Sequence, residues 1–117
     1  MDYPQMVKRS VEEEDRRLSL IVIELANAVF GFFYEGDEER AGTIALSLPK
    51  TNTSPSVSSI VIGVRNATAA RLLAEFLAQR YLKMAFASVF THQENDFTTN
   101  QRLLKLAQGI ETKGKET

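Results

Sequence analysis

Five apolar runs along the chain have the length and composition of β-strands. They are rich in β-branched and aromatic side chains and cover residues 18–25, 28–34, 42–48, 57–64 and 84–90. Short polar links join the first three runs, which predicts an antiparallel meander. Val7, Ser10 and Val11 allow a further edge strand before them.

Two other segments repeat apolar residues at the spacing of an α-helix. The first follows Asn66, whose short side chain can cap a helix by accepting a bond from a free amide of the first turn. Its predicted buried stripe is Ala69, Leu72, Leu73, Phe76, Leu77 and Arg80. The second segment has three cap candidates, Asp96, Thr98 and Thr99. Its stripe is Leu103, Leu106, Ala107 and Ile110.

The order of these elements predicts an α+β fold. We expect a single domain over residues 1–117, in which residues 1–10 and 113–117 are flexible. The domain should contain a five- to six-stranded, mainly antiparallel sheet with two helices on one face. The other face would then be used for dimerisation.

Both faces of the first predicted strand are apolar, but two helices can cover only one face of a sheet with five or six strands. One face carries Leu18, Leu20 and Val22, and the other carries Ile21, Ile23 and Leu25. A sheet covered on one side should alternate apolar with polar residues, and soluble monomers rarely expose a large apolar patch. The pattern favours a partner that stacks its own sheet on the free face. The alternative is that helices and tails of this chain cover both sides.

The strand at residues 42–48 suggests which face is free. Its large residues, Ile44, Leu46 and Leu48, share one face, and we expect the helices to cover them. The small face would suit a second sheet at about 10 Å. The predicted dimer interface is Val29, Gly31, Phe33, Thr43, Ala45, Ser47, Ser59, Val61 and Gly63. Polar loops are the usual contact points for further partners, and the candidates are Glu35, Asp37, Glu38, Arg40, Lys50, Asn52 and Ser54.

Composition gives little support to catalysis or to nucleic-acid binding. The net charge is -1, so neither nucleic acid nor an acidic membrane is favoured. There is no cysteine and one histidine, which predicts no catalytic residue, no metal site and no cofactor. No apolar run approaches the roughly 20 residues that span a bilayer. The missing disulfide potential and signal pattern indicate the cytoplasm, with the nucleus as a second compartment.

Residues 18–110 resemble the family of proteasome assembly chaperones three and four. The likeness begins with a strand pair followed by Gly-Thr-Ile-Ala-Leu-Ser-Leu-Pro at 42–49, a polar loop and Ile-Val-Ile-Gly at 60–63. It continues through the helix at 69–78, the strand at 85–89 and Asn-Gln-Arg-Leu-Leu at 100–104. The aromatic strand ending in Gly36 is more similar to the fourth chaperone, whereas Val64 and Arg65 stand where a polar or acidic residue is expected. Both subtypes stay open.

The resemblance implies a non-catalytic chaperone that needs no cofactor. Such proteins pair with a related subunit by stacking sheets, as heterodimers or homodimers, and hold α-ring subunits during assembly of the proteasome core particle. Two alternatives from other classes stay open. One is a general α+β scaffold or adaptor subunit of another complex, and the other is a small-ligand enzyme with a pocket between sheet and helices.

Overall fold

The chain folds into strands and helices in the order expected, with one strand more at its beginning. The computed structural model describes residues 5–53, 55, 57–93 and 96–110, with the backbone alone at Glu13. The strands are β1 (Gln5–Glu13), β2 (Arg16–Glu24), β3 (Ala28–Glu35), β4 (Thr43–Leu48), β5 (Val57–Ile62) and β6 (Met84–Phe90). The helices are α1 (Ala67–Tyr81) and α2 (Phe97–Gln108).

The six strands form one sheet in the order β1-β2-β3-β6-β4-β5. The pair β3–β6 is parallel, and the other four pairs are antiparallel. The α+β class and the mainly antiparallel sheet are therefore confirmed. The expected meander is wrong at its last step, because β6 lies between β3 and β4.

The position of β6 follows from the unit β5–α1–β6. Both of its strands are antiparallel to β4, so they are parallel to each other and lie on either side of it. Parallel strands need a crossover of a dozen or more residues, which α1 provides by packing on β4 and β6. This crossover places β6 between β3 and β4, at the centre of the sheet.

The first described residues are part of the sheet. β1 pairs with β2 along its whole length, from Gln5 opposite Glu24 to Glu13 opposite Arg16. The tight turn between them has Glu14 and Asp15 at positive φ (53° and 65°), which suits a two-residue hairpin. Residues 5–10, which were expected to be flexible, are therefore part of a paired strand. Residues 1–4 and 113–117 lie outside the described residues.

Small side chains allow α1 to approach the sheet closely. Ala70, Ala74 and Ala78 of the helix are fully buried, as are Ala45, Ala85 and Ala87 of the sheet, in one apolar cluster. The predicted stripe is rotated relative to this face, because Leu72 is 59% exposed. Ala69, Leu73 and Leu77 of the predicted stripe are buried as expected, and the alanines extend the buried side of α1 away from Leu72.

The two helix starts differ from each other in how they are capped. Asp96 precedes α2, and its side chain accepts a bond from the Thr99 amide at 3.2 Å, so it is the cap among the three candidates. Asn66 precedes α1 in a left-handed conformation with φ of 56° and makes no side-chain cap bond. The side-chain amide of Asn66 instead donates to the Thr91 hydroxyl at 2.9 Å, so the expected capping role was wrong.

Candidate interaction surface

The sheet face opposite the helices, which we call the open face, is apolar and half-buried at its centre. Side chains of the core alternate with those of the open face along each strand, because successive residues point to opposite sides. Within the described residues no helix packs there. The open face is formed by Met6, Ile21, Ile23, Phe30, Phe32, Ile44, Leu46, Leu48, Val57 and Phe86.

Two stacked aromatic rings form the middle of the open face. Phe30 of β3 and Phe86 of β6 are register partners, and their ring centroids lie 4.6 Å apart at 7° to each other. Leu46 is the partner of Phe86 on the other side. Packed rings lose little side-chain freedom on binding, so this centre can receive a second apolar surface at low entropic cost.

Most of the predicted interface residues lie under the helices, which reverses the predicted assignment of faces. Val29, Phe33 and Ala45 are 0% exposed and belong to the core. A side chain at Gly31 would collide with Leu77 of α1, and Thr43 and Ser47 share the buried face of Ala45. These six positions are therefore corrected: they are core, and the large residues of β4 face outward.

The remaining three predicted interface positions lie in or after β5. Ser59 is the register partner of Leu46 and lies on the open face. Val61 is the extra residue where the β4–β5 register shifts, and it is 57% exposed. Gly63 follows the strand with φ of 97°. The alanines at 70, 74 and 78, spaced by four, are the sequence signal that could have identified the small face as the helix face.

The link between β3 and β4 covers one end of the open face. Arg40 places its guanidinium 5.6 Å from the ring centroid of Phe90, and Glu39 approaches Lys8 of β1 at 3.9 Å. Between this link and the sheet lies a groove of about 310 Å³, lined mainly by Met6, Ile21, Ile23, Phe32 and Tyr34. The open face is thus a flat apolar centre with a concave, charged rim at one end.

The predicted partner-binding loop residues divide into exposed and buried ones. Asp37, Glu38, Arg40, Lys50 and Asn52 are exposed, and Ser54 lies outside the described residues. Glu35 is only 5% exposed, so its assignment to a partner-binding loop is corrected. It ends β3 and is held within the protein.

Glu35 is the centre of a buried ionic cluster that ties α2 to the sheet. Its carboxylate accepts bonds from Arg16 Nε at 2.9 Å, from Arg16 Nη2 at 3.1 Å and from the His92 amide at 3.0 Å. Arg16 also donates to the Thr99 hydroxyl at 2.6 Å and lies 3.5 Å from Asp96. One guanidinium therefore joins β2, β3 and the start of α2.

The cluster shifts the pKa values of both carboxylates downward. Burial raises the pKa of Glu35, but the hydrogen bonds from Arg16 and His92 outweigh it, and the pKa lies below its ordinary value. The Thr99 hydroxyl and amide, together with Arg16, lower the pKa of Asp96. Both groups favour the folded state when they are charged.

Lowering the pH should weaken this ionic cluster and reduce the free energy of unfolding. A carboxylate with a depressed pKa contributes stability above its unfolded pKa, near 4.5 for glutamate, and loses it as the pH falls through the folded pKa. We expect Glu35→Gln to lower the free energy of unfolding at pH 7 by about 2 kcal/mol, since charge-assisted bonds are lost. The variant should then lose less stability than the parent between pH 7 and pH 3, measured by urea unfolding.

Asp37→Asn is the matched control, because the Asp37 side chain is 91% exposed. It should follow the parent at every pH. Equal losses of stability in the parent and in Glu35→Gln between pH 7 and pH 3 would contradict the role given to Glu35.

The described residues contain no group of side chains that could bind a metal ion, because no three histidine or acidic side chains among them lie close enough together. A second groove, of about 300 Å³, lies between the ends of β4 and β6 and the turn before α1, and its lining includes Val64, Val89 and Phe90. No described helix is long and apolar enough to cross a membrane.

The fold is similar to that of a solved yeast chaperone complex, although no family model and no curated protein matches the sequence. The structure is described as "Crystal Structure of a Novel Chaperone Complex for Yeast 20S Proteasome Assembly". The superposition has a TM-score of 0.64 at 13% sequence identity and covers 90% of this chain and 91% of that chain. The expected likeness to proteasome assembly chaperones is therefore confirmed as a likeness of fold.

Proposed function

We propose that this protein is a non-catalytic assembly chaperone that pairs with a related subunit and holds α-ring subunits of the proteasome core particle. The observation that carries the proposal is the open face, seen on a fold shared with a proteasome assembly chaperone complex. A protein that works by complementary surface needs no reacting group, which agrees with a surface whose centre is formed by stacked rings.

Pairing through the open face follows from its size and chemistry. Six strands spaced by about 4.8 Å, with six to nine residues each, give a face of roughly 700 Å² before side-chain relief is counted. Two such faces reach the roughly 1,000 Å² that a specific interface needs. We therefore assign the open face to a related subunit that stacks its own sheet there, with the helices of both subunits outside.

The pair would hold its α-ring subunit through surfaces that pairing leaves exposed. The links at residues 36–42 and 50–53 lie at the ends of strands, outside the apolar centre. Loops on a rigid sheet are common binding elements. We place this activity in the cytoplasm, with the nucleus as a second compartment.

Reconstitution from purified components tests this function. The chain is mixed with a candidate related subunit, and the molecular mass is followed by sedimentation equilibrium. Each purified α-ring subunit is then added, and co-elution from a sizing column is measured. We expect a one-to-one pair that retains one α-ring subunit. A chain that stays monomeric with every candidate overturns the proposal, and a pair that retains no α-ring subunit indicates a scaffold subunit of another complex.

A further inference from the structure

The two edges of the sheet differ sharply in how they are protected. β1 carries Lys8, Arg9, Glu12 and Glu13 among its nine residues, and such charges discourage pairing with another strand. β5, at the opposite edge, reads Val-Ser-Ser-Ile-Val-Ile and has no charged residue. Natural sheets rarely leave a β-branched, uncharged edge strand open, so β5 has the composition of a strand that receives a partner.

Among the described residues, the outer edge of β5 has no partner strand, so its backbone amides and carbonyls are free to form hydrogen bonds. A ligand for this edge must therefore supply matching backbone groups. The inner edge of β5 pairs with β4, and the Ser47 hydroxyl donates to the Val57 carbonyl at 2.8 Å, so Val57 points its backbone toward β4. Backbone groups of an antiparallel strand alternate between its two edges. Ser58 and Ile60 therefore point their amides and carbonyls outward, and an extended chain is the structure that matches such a row.

The side chains beside this edge set the charge of the partner. The Arg71 guanidinium of α1 reaches β5 and donates to the Ser58 hydroxyl at 3.2 Å, and the Glu75 carboxylate accepts from the same hydroxyl. Lys50 is exposed two residues after the end of β4, and its backbone amide bonds to the Gln79 side chain of α1. Arg65 follows the strand, but its guanidinium donates to the His92 carbonyl at 3.0 Å, beyond the end of β6. Two cations, Arg71 and Lys50, thus accompany one carboxylate on the helix side of β5.

We propose that β5 receives an extended acidic segment of another protein as a seventh strand. Its alternate apolar side chains would continue the open face beside Val57 and Ser59, and its acidic side chains would lie near Arg71. Opposite charges on neighbouring strands stabilise their pairing. A second copy of β5 suits the edge less well, because self-pairing brings the same cations of two molecules together. The added strand would bind the backbone edge of β5 rather than the side chains of the open face, so this inference does not depend on the proposed function.

A synthetic peptide tests the edge directly. The probe is an eight-residue peptide that alternates valine with threonine and glutamate, added to the full-length chain. We expect half-saturation below about 1 mM by fluorescence polarisation, together with slower hydrogen exchange of the Ser58 and Ile60 amides. The same peptide with its backbone amides methylated should not bind, because it cannot form the ladder. Protection of β1 alone, or equal binding of the methylated peptide, overturns the assignment.

Charge reversal separates the acidic preference from nonspecific attraction. Arg71→Glu should weaken binding of the acidic peptide about fivefold and favour a peptide with lysine in place of glutamate. Lys105→Glu on α2 makes the same change of net charge away from β5 and should leave both affinities unchanged. Equal effects of the two variants contradict the role of Arg71. Protection of Ser58 and Ile60 that rises with protein concentration without peptide would assign the edge to a second copy instead.

Discussion

Replacing Leu46 with aspartate should abolish pairing while the chain stays folded. Leu46 is half-buried in the centre of the open face, between Phe86 of β6 and Ser59 of β5. In the unpaired chain the new carboxylate reaches water, whereas in the pair it would be an unpaired charge in a dry interface. That costs about 3–5 kcal/mol, which corresponds to a loss of more than about 100-fold in affinity. Sedimentation equilibrium with the related subunit measures it.

Leu72→Asp is the matched control for this substitution. It makes the same chemical change on α1, where Leu72 is 59% exposed on the side of the molecule away from the open face. It should leave pairing unchanged, and circular dichroism should show that both variants keep the sheet. Loss of pairing in both variants, or in neither, would contradict the open face as the interface.

Enlarging Ala74 to leucine should strongly destabilise the chain. Ala74 is 0% exposed in the cluster that contains Ala45, Ala85 and Ala87, so α1 lies close to the sheet at this point. Three additional carbon atoms would push the helix away or force neighbouring side chains out of their rotamers. Overpacking of this kind costs about 3 kcal/mol, and urea unfolding of the variant and the parent measures the difference.

Thr68→Leu provides the comparison within the same helix. Thr68 is exposed in the first turn of α1, so a larger side chain there extends into water and should change stability by less than about 0.5 kcal/mol. Leucine is also a better helix former than threonine, so similar losses at the two positions would contradict close packing of α1 on the sheet as the cause of the loss at Ala74.

Local patterns were sufficient to predict most elements of this fold. The strands β2 to β6 match apolar runs, and Asp96 caps α2 as one of the three candidates. The position of β6 was not predictable from such patterns, because strand order depends on the crossover through α1. β1 was only weakly indicated, since its charged residues hide the alternation that identifies a strand.

The free face was predicted, but its residues were assigned to the wrong side. The prediction assumed that large side chains of β4 would pack under large side chains of the helices. In the structure the alanines of α1 pack on the small side of the sheet, because small side chains on both elements let the two backbones approach closely. Ile44 and Leu46 were therefore left for the open face. The prediction considered the side chains of β4 and left out the composition of the helix that covers it.

The central place of β6 also sets the order in which the chain can complete its sheet during synthesis. β3 ends at Glu35 and β6 ends at Phe90, 55 residues later, which takes about 5 s at roughly 10 residues per second. Until then the sheet β1–β2–β3 and the hairpin β4–β5 are two separate halves, each with an open inner edge. A nascent chain is most prone to aggregation while such edges are exposed. The middle of the sheet is the last part of it to form.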